Sequence, residues 1–337
     1  MEHQKRKEDK ALSINYGKKQ SFKMQGKPMK IGDSHSATTT LAFDPEGKSL
    51  AVGSFDGSIK LYSPFTGKQT LIINPPAQGG AEPVPISSVR FRPTWSGQTL
   101  RASTVLVSTT CDGIIQHWHI TSNKLISEDT THKENENELN CADFTRDGRK
   151  LIVAGSDRKI YVHDEANRKM EMQMQNRDLK TPGHQNRIFS VKCHPDDENI
   201  LVSAGWDRSV KIYDIRAKGP VASIFGPSIS GDSLDVYEDM IVSGSIRNKE
   251  IMQIFSLSHQ KLVHTFNFAS HTDHETGFVL STKFSNDGNF IFTGGAGKNE
   301  LKVFMNNADS SASFKTQMEI KDLPAAVFTI DKAPNEK

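Results

Sequence analysis

Four stretches of this chain align on one another without a gap: "SFDGSIKLYS" (54–63), "TCDGIIQHWH" (110–119), "GSDRKIYVHD" (155–164) and "GWDRSVKIYD" (205–214). In each, an aspartate stands six residues before an aromatic residue or a histidine: Asp56/Tyr62, Asp112/Trp118, Asp157/His163 and Asp207/Tyr213. Between the two lies a short alternating run, such as Ile59-Lys60-Leu61 or Val210-Lys211-Ile212, which reads as a strand. Upstream of each is a second β run ("SLAVG", "VLVST", "KLIVAG", "ILVSAG"). Before that comes a third strand and a turn rich in Pro, Asp and Gly: "TLAFDPEG", "SVRFRPTWSG", "CADFTRDG" and "SVKCHPDDEN". Those residues preset or tolerate the dihedrals of tight turns. Two further units, 233–257 and 280–305, keep the strands, but their turn between second and third strands is longer and lacks the aspartate.

Repetition of this kind constrains the fold more than any composition can. The ends of the first strands align at Phe43, Phe91, Phe144, Cys193, Val236 and Phe284, with Ile330 of "AAVFTID" as a seventh. Their separations are 48, 53, 49, 43, 48 and 46 residues. A four-stranded unit repeated at about that period is a propeller blade, and the expected class is an all-β propeller of seven blades, with six-bladed closure as the alternative. The seventh unit begins at 325–331 with only six residues behind it. One strand is no blade, and an open propeller leaves edges free for non-native pairing. Both chain ends are therefore expected to share an atypical seventh blade. Val327–Ile330 would lie inside, and the β-capable runs Ile14–Tyr16 and Ser21–Met24 would contribute from the other end. The expected organisation is a basic arm over 1–32, a propeller over 33–331 and a short tail over 332–337.

The unit "GHQNRIFSVKCHPDDENILVSAGWDRSVKIYD" closely resembles a WD repeat, from Gly183-His184 to Tyr213-Asp214. Longer strings, "DGIIQHWHITSNK", "TPGHQNRIFSVKCHP" and "FGPSISGDSLDV", are similar to WD-repeat proteins of ciliated and flagellated eukaryotes. The first resemblance implies a buried hydrogen-bond network of His184, Ser203, Asp207 and Tyr213, with tyrosine where the repeat usually has tryptophan. It implies framework roles for Asp56, Asp112, Trp118 and Asp157 in the other units. A satisfied buried network makes a turn rigid, whereas a half-satisfied one is costly.

Chemistry of other kinds is poorly represented. No nucleophile elbow, Walker loop or HExxH pattern occurs, and "GGAGKNE" (294–300) is a strand-to-strand turn with no helix behind it to supply amides. His117 and His119 flank Trp118 on one strand face, and His271 and His274 sit in "SHTDHETG", but neither pair brings a third ligand of the kind zinc requires. No metal, cofactor or catalytic residue is expected. Cys111, Cys141 and Cys193 are scattered, which suits a reducing compartment. No run reaches the length of a membrane span, and "MEHQKRKEDK" is no secretory leader.

Charge is unevenly placed. Residues 1–30 hold nine Lys/Arg against three Asp/Glu, a surplus of +6, whereas the remainder carries 33 − 37 = −4. Lys5, Arg6, Lys7, Lys10, Lys18 and Lys19 are candidate contacts for an acidic polymer such as a microtubule surface. Nucleic acid is less expected, because no aromatic residues interleave with the basic ones. "SVKIYDIR" also resembles the box that docks some WD-repeat proteins on cullin–RING ubiquitin ligases, through Asp207, Asp214 and Arg216. The expectation is a non-enzymatic cytoplasmic scaffold within a larger complex, in contact with tubulin or axonemal proteins of a cilium or flagellum. The alternative is a ligase substrate receptor.

Overall fold

A computed structural model describes residues 29–32, 36–74, 83–93, 104–174, 181–247, 249–266, 277–297, 299–306 and 314–334. They form six four-stranded antiparallel sheets, each strand pairing with the next in sequence. Blade one is β1 (Thr38–Phe43), β2 (Leu50–Ser54), β3 (Ile59–Tyr62) and β4 (Gln69–Ile73). Blade two is β5 (Ile86–Phe91), β6 (Val105–Thr110), β7 (Ile115–His119) and β8 (Lys124–Asp129). Blade three is β9 (Leu139–Phe144), β10 (Lys150–Gly155), β11 (Ile160–Asp164) and β12 (Lys169–Met174). Blade four is β13 (Ile188–Cys193), β14 (Ile200–Gly205), β15 (Ser209–Asp214) and β16 (Gly219–Phe225). Blade five is β17 (Leu234–Tyr237), β18 (Met240–Gly244), β19 (Met252–Ser256) and β20 (Lys261–Phe266). Blade six is β21 (Phe278–Phe284), β22 (Phe290–Ala296), β23 (Leu301–Met305) and β24 (Thr316–Ile320).

Burial follows from stacking the blades. A second strand such as β14, "ILVSAG", is covered on both faces and is buried from Leu201 onward. That is why these runs are continuously apolar rather than alternating. The outer strands face solvent, and β20 is exposed or half-exposed throughout. The core is accordingly a set of seams between neighbouring blades. One seam sets Ile152, Val162 and Met174 of blade three against Ile188, Leu201 and Tyr213 of blade four. Equivalent clusters join blades one and two, two and three, four and five, and five and six.

Between blade six and blade one stands the C-terminal segment 327–334, without regular secondary structure. Its contacts correct the alignment made from sequence. Ile330 N–H donates to Ser281 Oγ at 2.9 Å, as Val89 N–H of blade two does to Thr40 Oγ1 of blade one. Asp331 Oδ2 accepts from Phe43 N–H at 2.7 Å, as Asp143 accepts from Cys193 and Asp235 from Phe284. Val327 fills the space beside Gly294 just as Ile86 does beside Gly53 and Val279 beside Gly244. All three matches put Lys332, not Ile330, level with Phe43, Phe91 and Phe284. The last separation becomes 48 residues, two more than the aromatic-led alignment implied, and the slip of two keeps the same side-chain face. The described residues thus hold six complete blades, with the irregular segment 327–334 set between blade six and blade one. The runs Ile14–Tyr16 and Ser21–Met24 lie outside them.

Candidate functional site: the mouth of the central channel

A recurrent irregularity builds the site. In blades one, two, three, four and six the first pair of strands carries a register shift near the start of the inner strand, between Thr38/Thr40, Ile86/Ser88, Leu139/Cys141, Ile188/Ser190 and Val279/Ser281. Such a bulge leaves one residue unpaired and re-aims it. The residues so released are Thr39, Ser87, Asn140, Phe189 and Leu280. Asp232 and Phe328 hold the corresponding places at blade five and in the terminal segment. All of these except Leu280 line one cavity of about 250 Å³.

The cavity opens at the end of the propeller where second strands turn into third strands. Phe55 and Trp206, each directly before the turn aspartate, are exposed there (63% and 42%), as are Phe225, Phe278 and Phe328 (70%, 38% and 46%). Trp206 rests on Phe189 at a centroid distance of 4.9 Å. Of the six exposed Phe and Trp side chains among the described residues, only Phe65 lies at the opposite end, in the β3–β4 turn. Scattered exposed apolar residues need no explanation, but a cluster around a cavity does.

Below the mouth, the residue before the aligned strand end reads Ala42, Arg90, Asp143, Lys192, Asp235, Lys283 and Asp331 around the axis. Apart from Ala42, the signs alternate. Arg90 reaches Asp143 at 3.7 Å and Asp232 at 3.2 Å; Lys192 and Lys283 reach Asp232 at 2.6 and 2.9 Å. Lys332 completes the set 3.8 Å from Asp235. Burial works against the charge of Asp232, but Lys192, Lys283 and Arg90 together hold it well below the usual carboxylate range. Burial also pushes the Lys192 ammonium down, to about 8, against the pull of Asp232. Four cations thus face four carboxylates. The floor is compensated internally and asks no charge of a ligand.

The residues singled out from sequence lie beside this mouth and inside the blades. His184 Nδ1 sits 2.8 Å from Asp207 Oδ2 and its Nε2 2.7 Å from Ser203 Oγ. A carboxylate only accepts, so Nδ1–H donates to Asp207 and the Ser203 hydroxyl donates to Nε2. Burial lowers the His184 pKa, keeping the ring neutral. Asp207 is also desolvated, yet His184, the Gln185 N–H and Ser209 lower its pKa. Tyr213 stacks on His184 at 6.4 Å. In blade two the set is divided: Trp118 Nε1–H donates to Ser108 Oγ at 3.0 Å, whereas Asp112 accepts from Thr110 Oγ1 at 2.5 Å and pairs with Lys133. Asp56 accepts from Ser58, and Asp157 from the Tyr161 hydroxyl.

His117 and His119 point to different partners: His117 Nε2 is 3.1 Å from buried Glu165, and His119 Nδ1 is 2.7 Å from Ser122. Blade three has an unforeseen histidine pair, with His132 Nε2 3.1 Å from His163 Nε2 and His163 Nδ1 3.5 Å from Asp129. Their ring centroids are 5.3 Å apart, so the rings meet nearly head to head. Two lone pairs aimed at each other share a proton rather than converge on a metal ion. Among the described residues no group of three or more His, Cys, Asp or Glu is placed to hold one. Lys5, Arg6, Lys7, Lys10, Lys18, Lys19, His271 and His274 lie outside the described residues. Arg216 is exposed at the opposite end of blade four and closes on Asp214 through two bonds of 3.0 and 2.7 Å.

Sequence reading missed the mouth and the charge ring. Part of the signal was present in the aligned columns, Arg, Asp, Lys, Asp and Lys one position before the strand end; Asp331 joins them only once the terminal unit is shifted by two.

Four stretches, 26–63, 123–164, 176–214 and 260–303, match the WD domain, G-beta repeat. Together with the six four-stranded blades, they make the chain a WD40-repeat β-propeller. It is similar to the ribosome biogenesis protein WDR12 homolog of Oryza sativa subsp. japonica, at 26% identity over 64% of this chain and 51% of that protein. Coronin-7 of Rattus norvegicus is 26% identical over 61% of this chain and 20% of its own length. The human U5 small nuclear ribonucleoprotein 40 kDa protein is 32% identical over 27% of this chain and 23% of its own. The chain therefore spans about half the length of the rice relative and less of the other two. No helix among the described residues is long and apolar enough to cross a membrane.

Proposed function

We propose that this chain is a non-enzymatic interaction scaffold whose working surface is the end of the propeller around the channel mouth. The observation that carries the reading is the gathering of Phe55, Trp206, Phe225, Phe278 and Phe328 at that end, around a cavity framed by bulge residues. Catalysis by the Ser203–His184–Asp207 set is disfavoured because the His184 and Asp207 side chains are 0% and 4% exposed. They hold turn backbone and no substrate can reach them. A photo-crosslinking amino acid at Phe55 or Phe328 should capture protein in cells, whereas one at Phe65 should not. Capture confined to Phe65 refutes the assignment of the face.

The finer reading is a ciliary or microtubule-associated assembly, supported by the +6 charge of residues 1–30. The ligase-receptor alternative is weakened by the docking box itself. Asp207 is taken up by His184 and the Gln185 N–H, and Arg216 is closed on Asp214. The same N-terminal residues are proposed to complete the seventh blade beside 327–332. Gly32, which follows them, already lies against Tyr62 of blade one. Removing residues 1–28 should lower the melting temperature if they complete the blade, and abolish salt-sensitive co-sedimentation with microtubules if they form the contact. Unchanged melting and unchanged sedimentation together refute both.

A further inference from the structure

We infer that the partner segment bound at this face is an acidic peptide, with carboxylates along Arg158, Arg208 and Lys249 and one uncharged aromatic or aliphatic anchor in the mouth. This rests on the proposed working surface and adds the chemistry of its partner.

The equivalent turns between second and third strands each hold a residue at positive φ: Gly57 (78°), Gly113 (90°), Arg158 (70°), Arg208 (57°), Glu250 (56°) and Asn299 (49°). Glycine adopts that conformation without strain and serves in blades one and two. Blades three and four place arginine there instead, and the turn projects each side chain outward. Both arginines are exposed, and neither makes an ion pair or side-chain hydrogen bond among the described residues. Lys159 and Lys249 are exposed and equally without a partner among them. Neighbouring arginines differ: Arg187 closes on Glu138, and Arg247 on Glu250 at 3.4 Å. Free cations therefore collect over blades three to five.

Aromatic surface adjoins those cations. Trp206 lies two residues before Arg208, and Phe225 pairs across the sheet with Ser209, directly after it. Gly226 N–H donates to Arg208 O at 2.9 Å, so Phe225 and Arg208 are held together at the rim. Phe189 continues this surface into the cavity beneath Trp206. Inside, the small polar residues Thr39, Ser87, Ser230 and Thr329 line the wall. Among the described residues the only charges reached are Arg90 and Asp232, which are bound to each other. An anchor entering the mouth is best uncharged, since a buried unpaired charge is costly. Exposed Glu134 and Glu136 on the same face repel any continuous polyanion, so a short peptide that places its few carboxylates at Arg158, Arg208 and Lys249 fits better than a nucleic acid with a phosphate at every residue.

The test is selection of phage-displayed random dodecapeptides on the full-length protein. The expected consensus joins Asp or Glu residues to one Phe, Trp, Tyr or Leu. A synthetic peptide of that consensus should bind at least about tenfold more weakly to R158G/R208G, and more weakly still to R158E/R208E. Glycine is native to this turn in blades one and two, so R158G/R208G should melt no lower than the parent. A basic consensus, no enrichment, or an acidic consensus indifferent to both double variants overturns the inference. So does arginine-dependent binding of a twelve-residue oligouridylate tighter than that of the peptide. The F55A/F328A variant separates the two levels. Selected peptides that are lost from F55A/F328A but not from the arginine variants leave the face in place and remove only its acidic specificity. Peptides lost from the arginine variants but indifferent to F55A/F328A remove the mouth.

Discussion

Replacing Asp331 with alanine should destabilise the whole ring, although it lies near the chain end. Its carboxylate accepts the Phe43 N–H of blade one at 2.7 Å from a segment whose other hydrogen bonds go to blade six. It also contributes to the field that raises the Arg90 pKa, where burial is opposed by Asp232, Asp143 and Asp331. A hydrogen bond to a charged acceptor is worth about 1.5–3 kcal/mol. Removing one of four carboxylates also leaves the cation set one charge in excess, so the loss should total roughly 2–4 kcal/mol. For a chain of this size that corresponds to a melting temperature lower by roughly 3–6 °C. Thermal unfolding followed by circular dichroism reads the shift, with the exposed Glu198→Ala as control, expected within about 0.5 kcal/mol of the parent. Asp331→Asn keeps an acceptor and should fall between the two. If Asp331→Ala melts with the control, segment 327–334 does not latch blade six to blade one, and the proposed seventh position falls with it.

Asp207→Ala leaves the Gln185 N–H, His184 Nδ1–H and the Ser209 hydroxyl without their acceptor and should cost roughly 1–3 kcal/mol in a melt. Unchanged melting with a lost binding activity would instead place Asp207 in a site. Acid should weaken blade three. Burial, with His132 beside it, lowers the His163 pKa from 6.5 to about 4, so the unfolded chain binds the extra proton between those values. Stability from this group is complete above about pH 6.5 and lost as pH falls toward 4, by at most about 3 kcal/mol. His163→Tyr, the residue at the same position in blades one and four, should flatten that loss in melts run between pH 7 and pH 4.5. An undiminished loss in the variant would assign the effect to other groups.

The blades and their order were legible in the sequence because each is a local, repeated unit. Alternation marks strands, Asp and Gly mark their turns, and four gapless copies fix the register within each unit. The His184–Asp207–Ser203 geometry was legible for the same reason, since its members belong to one blade. The terminal unit was aligned two residues away, because a lone strand offers only its apolar pattern, and "VFTID" shows the same alternation at either register. Tyr62, Trp118, His163 and Tyr213 share one column, yet only Trp118 donates to a second-strand serine of its own blade, because blades one and three carry Val52 and Val153 at that place and Ser203 of blade four is taken by His184.

By itself, then, the sequence determined an all-β chain of repeated four-stranded units, the turns between their strands and the aspartates that hold some of those turns. Tertiary structure alone decided what meets at the axis. Bulge residues 48 or so positions apart line one cavity, and alternating charges from five inner strands and the terminal segment are neutralised there together with Asp232. Exposed aromatics from the second-to-third turns, from the end of β16 and from the terminal segment share one rim. Periodicity along the chain specifies the face a side chain takes within its own sheet. Contacts between sheets depend on how the blades are arranged about a common axis, and that follows only when apolar seams between neighbours have closed around it.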